Sequence, residues 1–143
     1  MEFGAESVPT RTGDIARFAA APVAHLATAT PAGAPHVVPI VFAVAGAVIY
    51  TAVDGKPKRH GRLQRLVNIA HDPRVSVLVD HYADDWSRLW WVRADGLARL
   101  LPPSDGGEAA VAALRAKYPQ YDAVALDGPV LRIDVRRWSS WHG

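Results

Sequence analysis

Residues 89–101, LWWVRADGLARLL, decide the fold class. Their chemistry alternates with the two-residue period of a β-strand. Trp90, Val92, Ala94, Gly96, Ala98 and Leu100 share one face, and Trp91, Arg93, Asp95, Leu97 and Arg99 share the other. A glycine in the middle of such a run marks a bulge or a bend, and a bend there lets a small sheet curl toward a closed barrel. The run therefore predicts a long, curved strand that is polar on only one side.

The segments around it read the same way. Residues 23–30 (VAHLATAT) predict a strand, and the Pro- and Gly-containing break TPAGAP at 30–35 predicts a turn. Residues 36–44 are apolar on both faces and predict a central strand, with Pro39 marking a bulge or a locally unpaired position. Ala45-Gly46 turns the chain into a strand at 47–52, which is a hairpin pattern. Residues 74–81 and 129–137 predict two more strands, the last with Leu131, Ile133 and Val135 facing inward. An aromatic tail, Trp138 to His142, follows.

Three helices are predicted between the strands. One spans 14–20, with Asp14 able to cap it and Pro22 ending it. A second spans 62–71, with Leu63, Leu66, Val67 and Ala70 on one face and Arg62, Gln64, Arg65 and Asn68 off it. Asp72-Pro73 stops that helix. A third runs from a capping box at Asp105 and Glu108 to about Tyr118. About six antiparallel strands with flanking helices favour a mainly β barrel over a doubly wound sheet.

The chain has 143 residues, half of them hydrophobic, which fits one globular domain over 1–143 with a core at about 15–137. It has no cysteine, which excludes disulfides, iron–sulfur clusters and thiol nucleophiles and suits a reducing, cytoplasmic setting. The start, MEFGAESVPT, lacks a basic segment and an apolar stretch, so no signal peptide is expected. No apolar run approaches the roughly 20 residues of a membrane helix.

The net charge of +2 says little about partners, but its distribution says more. Lys56, Lys58, Arg59, Arg62 and Arg65 fall within ten residues with no acid between them. They lie between the end of a strand, at Thr51, and a helix whose N-terminus offers free N–H groups and the positive end of a dipole. That pattern suits a phosphate or carboxylate, with Thr51 as a further hydroxyl donor, and it equally suits a solvated basic loop.

In the pair Trp90-Trp91 one indole should enter the core, while the other faces a groove or a partner. The six histidines show neither i, i+4 helical spacing nor an H-E-x-x-H motif, so no metal site is expected. His60 and His71 lie near the basic loop, and Asp80, Asp84 and Asp85 read as a turn or a cap. The chain has no G-x-G-x-x-G, no Walker A loop and no G-x-S-x-G. Aromatic residues are not interleaved with the basic loop as nucleic-acid stacking platforms would require.

Three segments together carry a family resemblance: HLATATPAGAPHVVPIVF at 25–42, the KPKR…LQRLVNIAHDPRVSVL run at 56–78, and LWWVRADGLARL at 89–100. The order of elements resembles the split β-barrel of the pyridoxamine 5′-phosphate oxidase-like, FMN-binding flavoproteins. Within them, KPKRHGRLQRLVNI with YADDW and LWWVR is similar to the small actinobacterial oxidoreductases that use the deazaflavin coenzyme F-420.

The resemblance implies a homodimer with cofactor sites at the subunit interface. It implies a cofactor phosphate held by Lys56, Lys58 and Arg59, with Thr51 and Arg65 nearby. It places the ring system against Val38, Pro39, Ile40 and Val41, with Trp91 as a further candidate. The basic loop is longer than in the commoner family pattern. The implied activity is hydride transfer between F-420 and a small organic substrate. FMN-dependent chemistry and non-catalytic F-420 binding are the alternatives, and no catalytic side chain is singled out.

Overall fold

The structure, a computed structural model, describes residues 3–4, 12–53 and 63–143. It contains seven strands and three α-helices: α1 (Thr12–Ala20), β1 (Ala24–Ala29), β2 (Pro35–Ile40), β3 (Ala43–Ala45), β4 (Val48–Ala52), α2 (Gln64–His71), β5 (Arg74–His81), β6 (Trp90–Leu101), α3 (Glu108–Lys117) and β7 (Val130–His142). All neighbouring strands pair antiparallel, in the order β2-β1-β5-β6-β7-β4-β3.

The two ends of that order are β2 and β3, which follow each other in the chain. The sheet is thus closed by two linking residues, Val41 and Phe42, rather than by a ladder. Other groups hold this seam. The Tyr118 hydroxyl accepts the Phe42 N–H at 3.0 Å and lies 3.0 Å from the Phe42 and Pro22 carbonyl oxygens, to which it can donate. The Thr51 hydroxyl donates to the Val41 carbonyl at 2.8 Å.

The 36–44 strand expected from sequence is therefore two strands, which raises the count from about six to seven. It is also not central. Both pieces are edges, and Val37 is 61 % exposed. Continuous apolarity signalled a seam that faces the core on one side and open sheet surface on the other. Pro39 is tolerated because its nitrogen faces the edge of β2 that has no ladder partner among the described strands.

β6 is the long strand expected, and the ladder to β7 shifts register between Asp95 and Gly96. A Cβ at Gly96 would collide with the Asp134 carbonyl oxygen and lie 3.1 Å from the Val135 Cα, so the close approach of two backbones requires glycine. β7 extends to His142, so the aromatic tail is strand rather than an appendage.

Inside the barrel lie Leu26, Ile40, Phe42, Ile49, Val77, Val92, Ala94, Leu131 and Ile133. α1 closes one mouth. Its Phe18 is fully buried and meets Phe42 and Trp138 edge-on, with ring centroids 5.2 and 5.1 Å apart. Asp14 does not cap this helix but lies within its first turn. It is buried, accepting the Ser140 hydroxyl at 3.1 Å and sitting 2.9 Å from His142 Nε2.

α2 packs over β1 and β6 and buries Leu66, Ile69 and Asn68. Asn68, expected off the apolar face, is fully buried, and Ala70, expected on it, is exposed. The Asn68 amide is satisfied within the helix and across to β1. It donates to Thr28 Oγ1 at 2.9 Å and accepts from Gln64 Nε2 at 2.8 Å. α3 packs on β3 and β4 through Ala110, Leu114 and Tyr118. It begins after Gly107, not at Asp105, and the Glu108 carboxylate accepts the Gly106 N–H at 3.0 Å.

Candidate functional site

The segment carrying Lys56, Lys58, Arg59, His60 and Arg62 lies outside the described residues, but both its anchors are described. The upstream anchor is the end of β4. Thr51 there is almost fully buried, and its hydroxyl is committed to the Val41 carbonyl. The downstream anchor is the start of α2. Leu63 occupies the N-cap position, no side chain among the described residues caps the helix, and no acid lies in its first turn. An uncapped N-terminus keeps its partial positive charge available to an anion. Arg65, in that first turn, is half-buried. His71 stands at the other end of α2, about 10 Å along the axis at 1.5 Å per residue, and so is not part of this anchor.

The four ring-contact candidates divide by the pleat. The register pairs Val38 with Leu26 and Ile40 with Ala24, so both side chains turn into the barrel. Pro39 pairs with His25 and is exposed on the outer face, beside Val37 and Ala27. With the Thr30 N–H bonded to the Ala34 carbonyl, the ladder turns the main-chain groups of Val38 and Ile40 toward β1, and a molecule lying outside would meet the Val37 N–H and carbonyl and the Pro39 carbonyl. β2 can offer that contact because its second edge has no ladder partner among the described strands.

Val41 is half-buried at the seam. It lines a mainly apolar pocket of about 410 Å³ together with Pro22, Val23, Tyr118, Tyr121 and Val124. Burial pushes the Tyr118 phenol above its ordinary pKa. Lys117 sits beside it, its ammonium 3.7 Å from the Phe42 ring centroid and 2.7 Å from the Ala21 carbonyl. Burial lowers the Lys117 pKa to about 8. Thus Thr51, Val41 and β2 come together, with a pocket against the seam.

Trp91 does not join them. It lies on the outer face of β6, three strands from β2 in the sheet order, about 14 Å at the usual spacing. Its indole N–H donates to the Phe3 carbonyl at 2.6 Å, and the Arg93 guanidinium lies 5.6 Å from its ring. Phe3 in turn stacks on Trp141, the cross-strand partner of Trp91. Trp90 packs partly against the core, as the alternation predicts. Asp85 caps a short 3-10 turn at Trp86–Arg88, accepting the Ser87 N–H at 3.1 Å.

Sequence reading missed the roles of Tyr118 and Lys117. Both lie at the end of α3, 76 residues beyond Phe42 in the case of Tyr118, and no local pattern announces a contact at that separation.

Comparisons with known proteins agree with this architecture. A conserved hypothetical protein of Mycobacterium tuberculosis superposes with a TM-score of 0.73 at 26 % identity, over 99 % of this chain and 90 % of that one. A heme-binding protein of Mycobacterium smegmatis gives 0.68 at 25 % identity, over 92 % of this chain and 54 % of that one. An FAD-binding protein of Mesorhizobium loti gives 0.69 at 24 % identity, over 94 % and 96 %, a likeness of fold. Among curated proteins, an arginine–tRNA ligase of Chloroflexus aggregans is 36 % identical over 76 residues, 53 % of this chain. The chain spans only 13 % of that ligase's length. The family model for pyridoxamine 5′-phosphate oxidase matches residues 13–142, from α1 to the last strand. The chain belongs to the pyridoxamine 5′-phosphate oxidase family.

Proposed function

We propose that the protein is an oxidoreductase that binds the deazaflavin F-420 and passes a hydride between it and a small organic substrate. The observation that carries this reading is the pairing of an acid-free run of five cations with the acid-free start of α2, which no side chain among the described residues caps. F-420 carries a phosphodiester and a polyglutamate tail, so several negative charges must be matched. Lys56, Lys58 and Arg59 would hold the phosphate, with Arg65 beside them. Thr51 supports the site by fixing the end of β4 to Val41 rather than by meeting the anion, since its hydroxyl is already engaged.

The residues present fit such a group. The free edge of β2 offers the Val37 N–H and the Val37 and Pro39 carbonyls to a ring edge, and the exposed Pro39 offers it a flat surface. When bound, the deazaflavin supplies the hydride. The protein's part is to hold the ring against β2, neutralise the tail and keep water from the reacting face. Trp91 would reach a cofactor only from a second copy of the chain. A homodimer would cover the outer face of β1, β2, β5 and β6, where Val37 is exposed and Leu78 and Trp91 are half-exposed.

FMN-dependent chemistry on the same fold is the second reading, favoured by family membership itself. Non-catalytic binding is a third, favoured by the heme-binding M. smegmatis protein. Side-by-side fluorescence titration with F-420 and FMN separates the first two. The proposal expects saturable F-420 binding with FMN at least about 100-fold weaker, a difference of about 2.7 kcal/mol. Tighter FMN binding would overturn it. Saturable F-420 binding without turnover of any enone, quinone or tetrapyrrole would favour the third reading.

A further inference from the structure

At the mouth closed by α1, a groove runs along Trp90. One end, about 330 Å³, is lined by Arg17, His81, Ser87, Arg88, Trp90 and His142. The other, about 360 Å³, shares Arg17, His81 and Trp90 and adds the apolar Ala20, Ala21, Pro22 and Val79, with Asp80 beside them. The groove thus has a cationic head and an apolar body.

Its walls are fixed in place. The His81 ring stacks on Trp90 with centroids 5.8 Å apart and planes 17° apart, and the Arg17 guanidinium lies 5.5 Å from the Trp90 centroid. His142 is held from below, its Nε2 2.9 Å from an Asp14 carboxylate that also takes the Ser140 hydroxyl. That contact requires the hydrogen on Nε2 and fixes the ring's orientation.

The charges nearby sort by position. Asp14 is buried under His142, and Asp85 is occupied by the N–H and hydroxyl of Ser87. Asp80 lines only the apolar end and repels an anion from it. Arg17 and Arg88 are left to face a ligand at the head, and guanidinium forks suit phosphate and carboxylate alike.

We propose that this groove binds an amphipathic organic anion. Its phosphate or carboxylate head sits on Arg17 and Arg88, and its apolar body lies along Ala20, Ala21, Pro22 and Val79. The groove meets the seam pocket at Pro22, which lines both, but its head at Arg17 and Arg88 shares no lining residue with that pocket, and the proposal stands whether or not F-420 is the cofactor.

Isothermal titration of the full chain with phenyl phosphate, benzoate, benzyl alcohol and inorganic phosphate tests it. Phenyl phosphate or benzoate should bind once per chain. Benzyl alcohol and inorganic phosphate, each lacking one half of the ligand, should bind at least about tenfold more weakly. The tighter of the two anions names the head group. Arg88→Gln and Arg17→Gln should each weaken binding at least about tenfold, because a charge-assisted hydrogen bond is lost. The Lys56→Gln/Lys58→Gln/Arg59→Gln variant should leave it unchanged. Both arginines are exposed, so these variants should keep the fold, which an unchanged melting temperature verifies. No saturable binding, binding indifferent to Arg17 and Arg88, or binding lost with the 56–59 cations would each overturn the proposal.

Discussion

Tyr118→Phe isolates the bond that holds the barrel seam. The substitution keeps the ring, which packs among Ala43, Leu114, Tyr121 and Leu126, and removes only the hydroxyl. The Phe42 N–H then loses its acceptor, and the carbonyls of Phe42 and Pro22 lose the one hydroxyl hydrogen that lies within reach of both. Phe42 is fully buried, so water cannot replace the lost acceptor for its N–H. Stranding a buried donor costs about 1–3 kcal/mol, and the carbonyls, each with a second lone pair, add less. We expect a loss of about 2–3 kcal/mol. Urea unfolding followed by tryptophan fluorescence reads it as a midpoint drop of about 1 M at an unchanged slope of about 2 kcal/mol/M. Tyr82→Phe is the control. The hydroxyl of that exposed tyrosine accepts the Trp86 indole N–H at a long 3.4 Å, and its change should stay within about 0.5 kcal/mol. A Tyr118→Phe loss no larger than the control's would refute the claim that the hydroxyl closes the seam.

The other expectations concern the bulge, the α2 interface and Lys117. Gly96→Ala should cost more than about 2 kcal/mol, because the new methyl meets main chain of β7 that cannot yield; a neutral melting temperature would contradict the bulge geometry. Asn68→Ala should cost about 1–2 kcal/mol, and a double-mutant cycle with Thr28→Val should show coupling of at least about 0.5 kcal/mol, since the two side chains are bonded to each other. Lys117 has a folded pKa of about 8 against an ordinary 10.5, so the native state binds fewer protons than the unfolded chain between those values. Stability should therefore rise from about pH 8 to pH 10, above which the raised Tyr118 pKa acts in the opposite sense. The rise should be small because Lys117 is only partly buried and its contacts with Ala21 and Phe42 favour the charged form; Lys117→Met should abolish it in unfolding curves taken across that range.

The long strand, the hairpin at Gly46 and the bend at Gly96 were legible because strand alternation and glycine geometry are local properties. The edge position of β2 was not, because a seam strand and a central strand both read as continuously apolar. Asn68 was misplaced for a similar reason. Polarity alone assigns it to solvent, and its burial depends on Thr28, 40 residues away. The proposed anion site rests on composition, in Lys56 to Arg65, and the described anchors add a helix start that no described side chain caps, which composition could not show. The pocket against the seam and the groove at Trp90 each join residues from distant parts of the chain, and no spacing in the sequence brings those residues together.

The most direct test of the central claim is the F-420 dissociation constant of the Lys56→Gln/Lys58→Gln/Arg59→Gln variant against that of the unaltered chain, at one salt concentration. Losing two or three charge-assisted contacts of about 1.5 kcal/mol each should weaken binding by about 100-fold or more. An affinity within about threefold of the unaltered chain's would show that the basic segment does not hold the cofactor's charge.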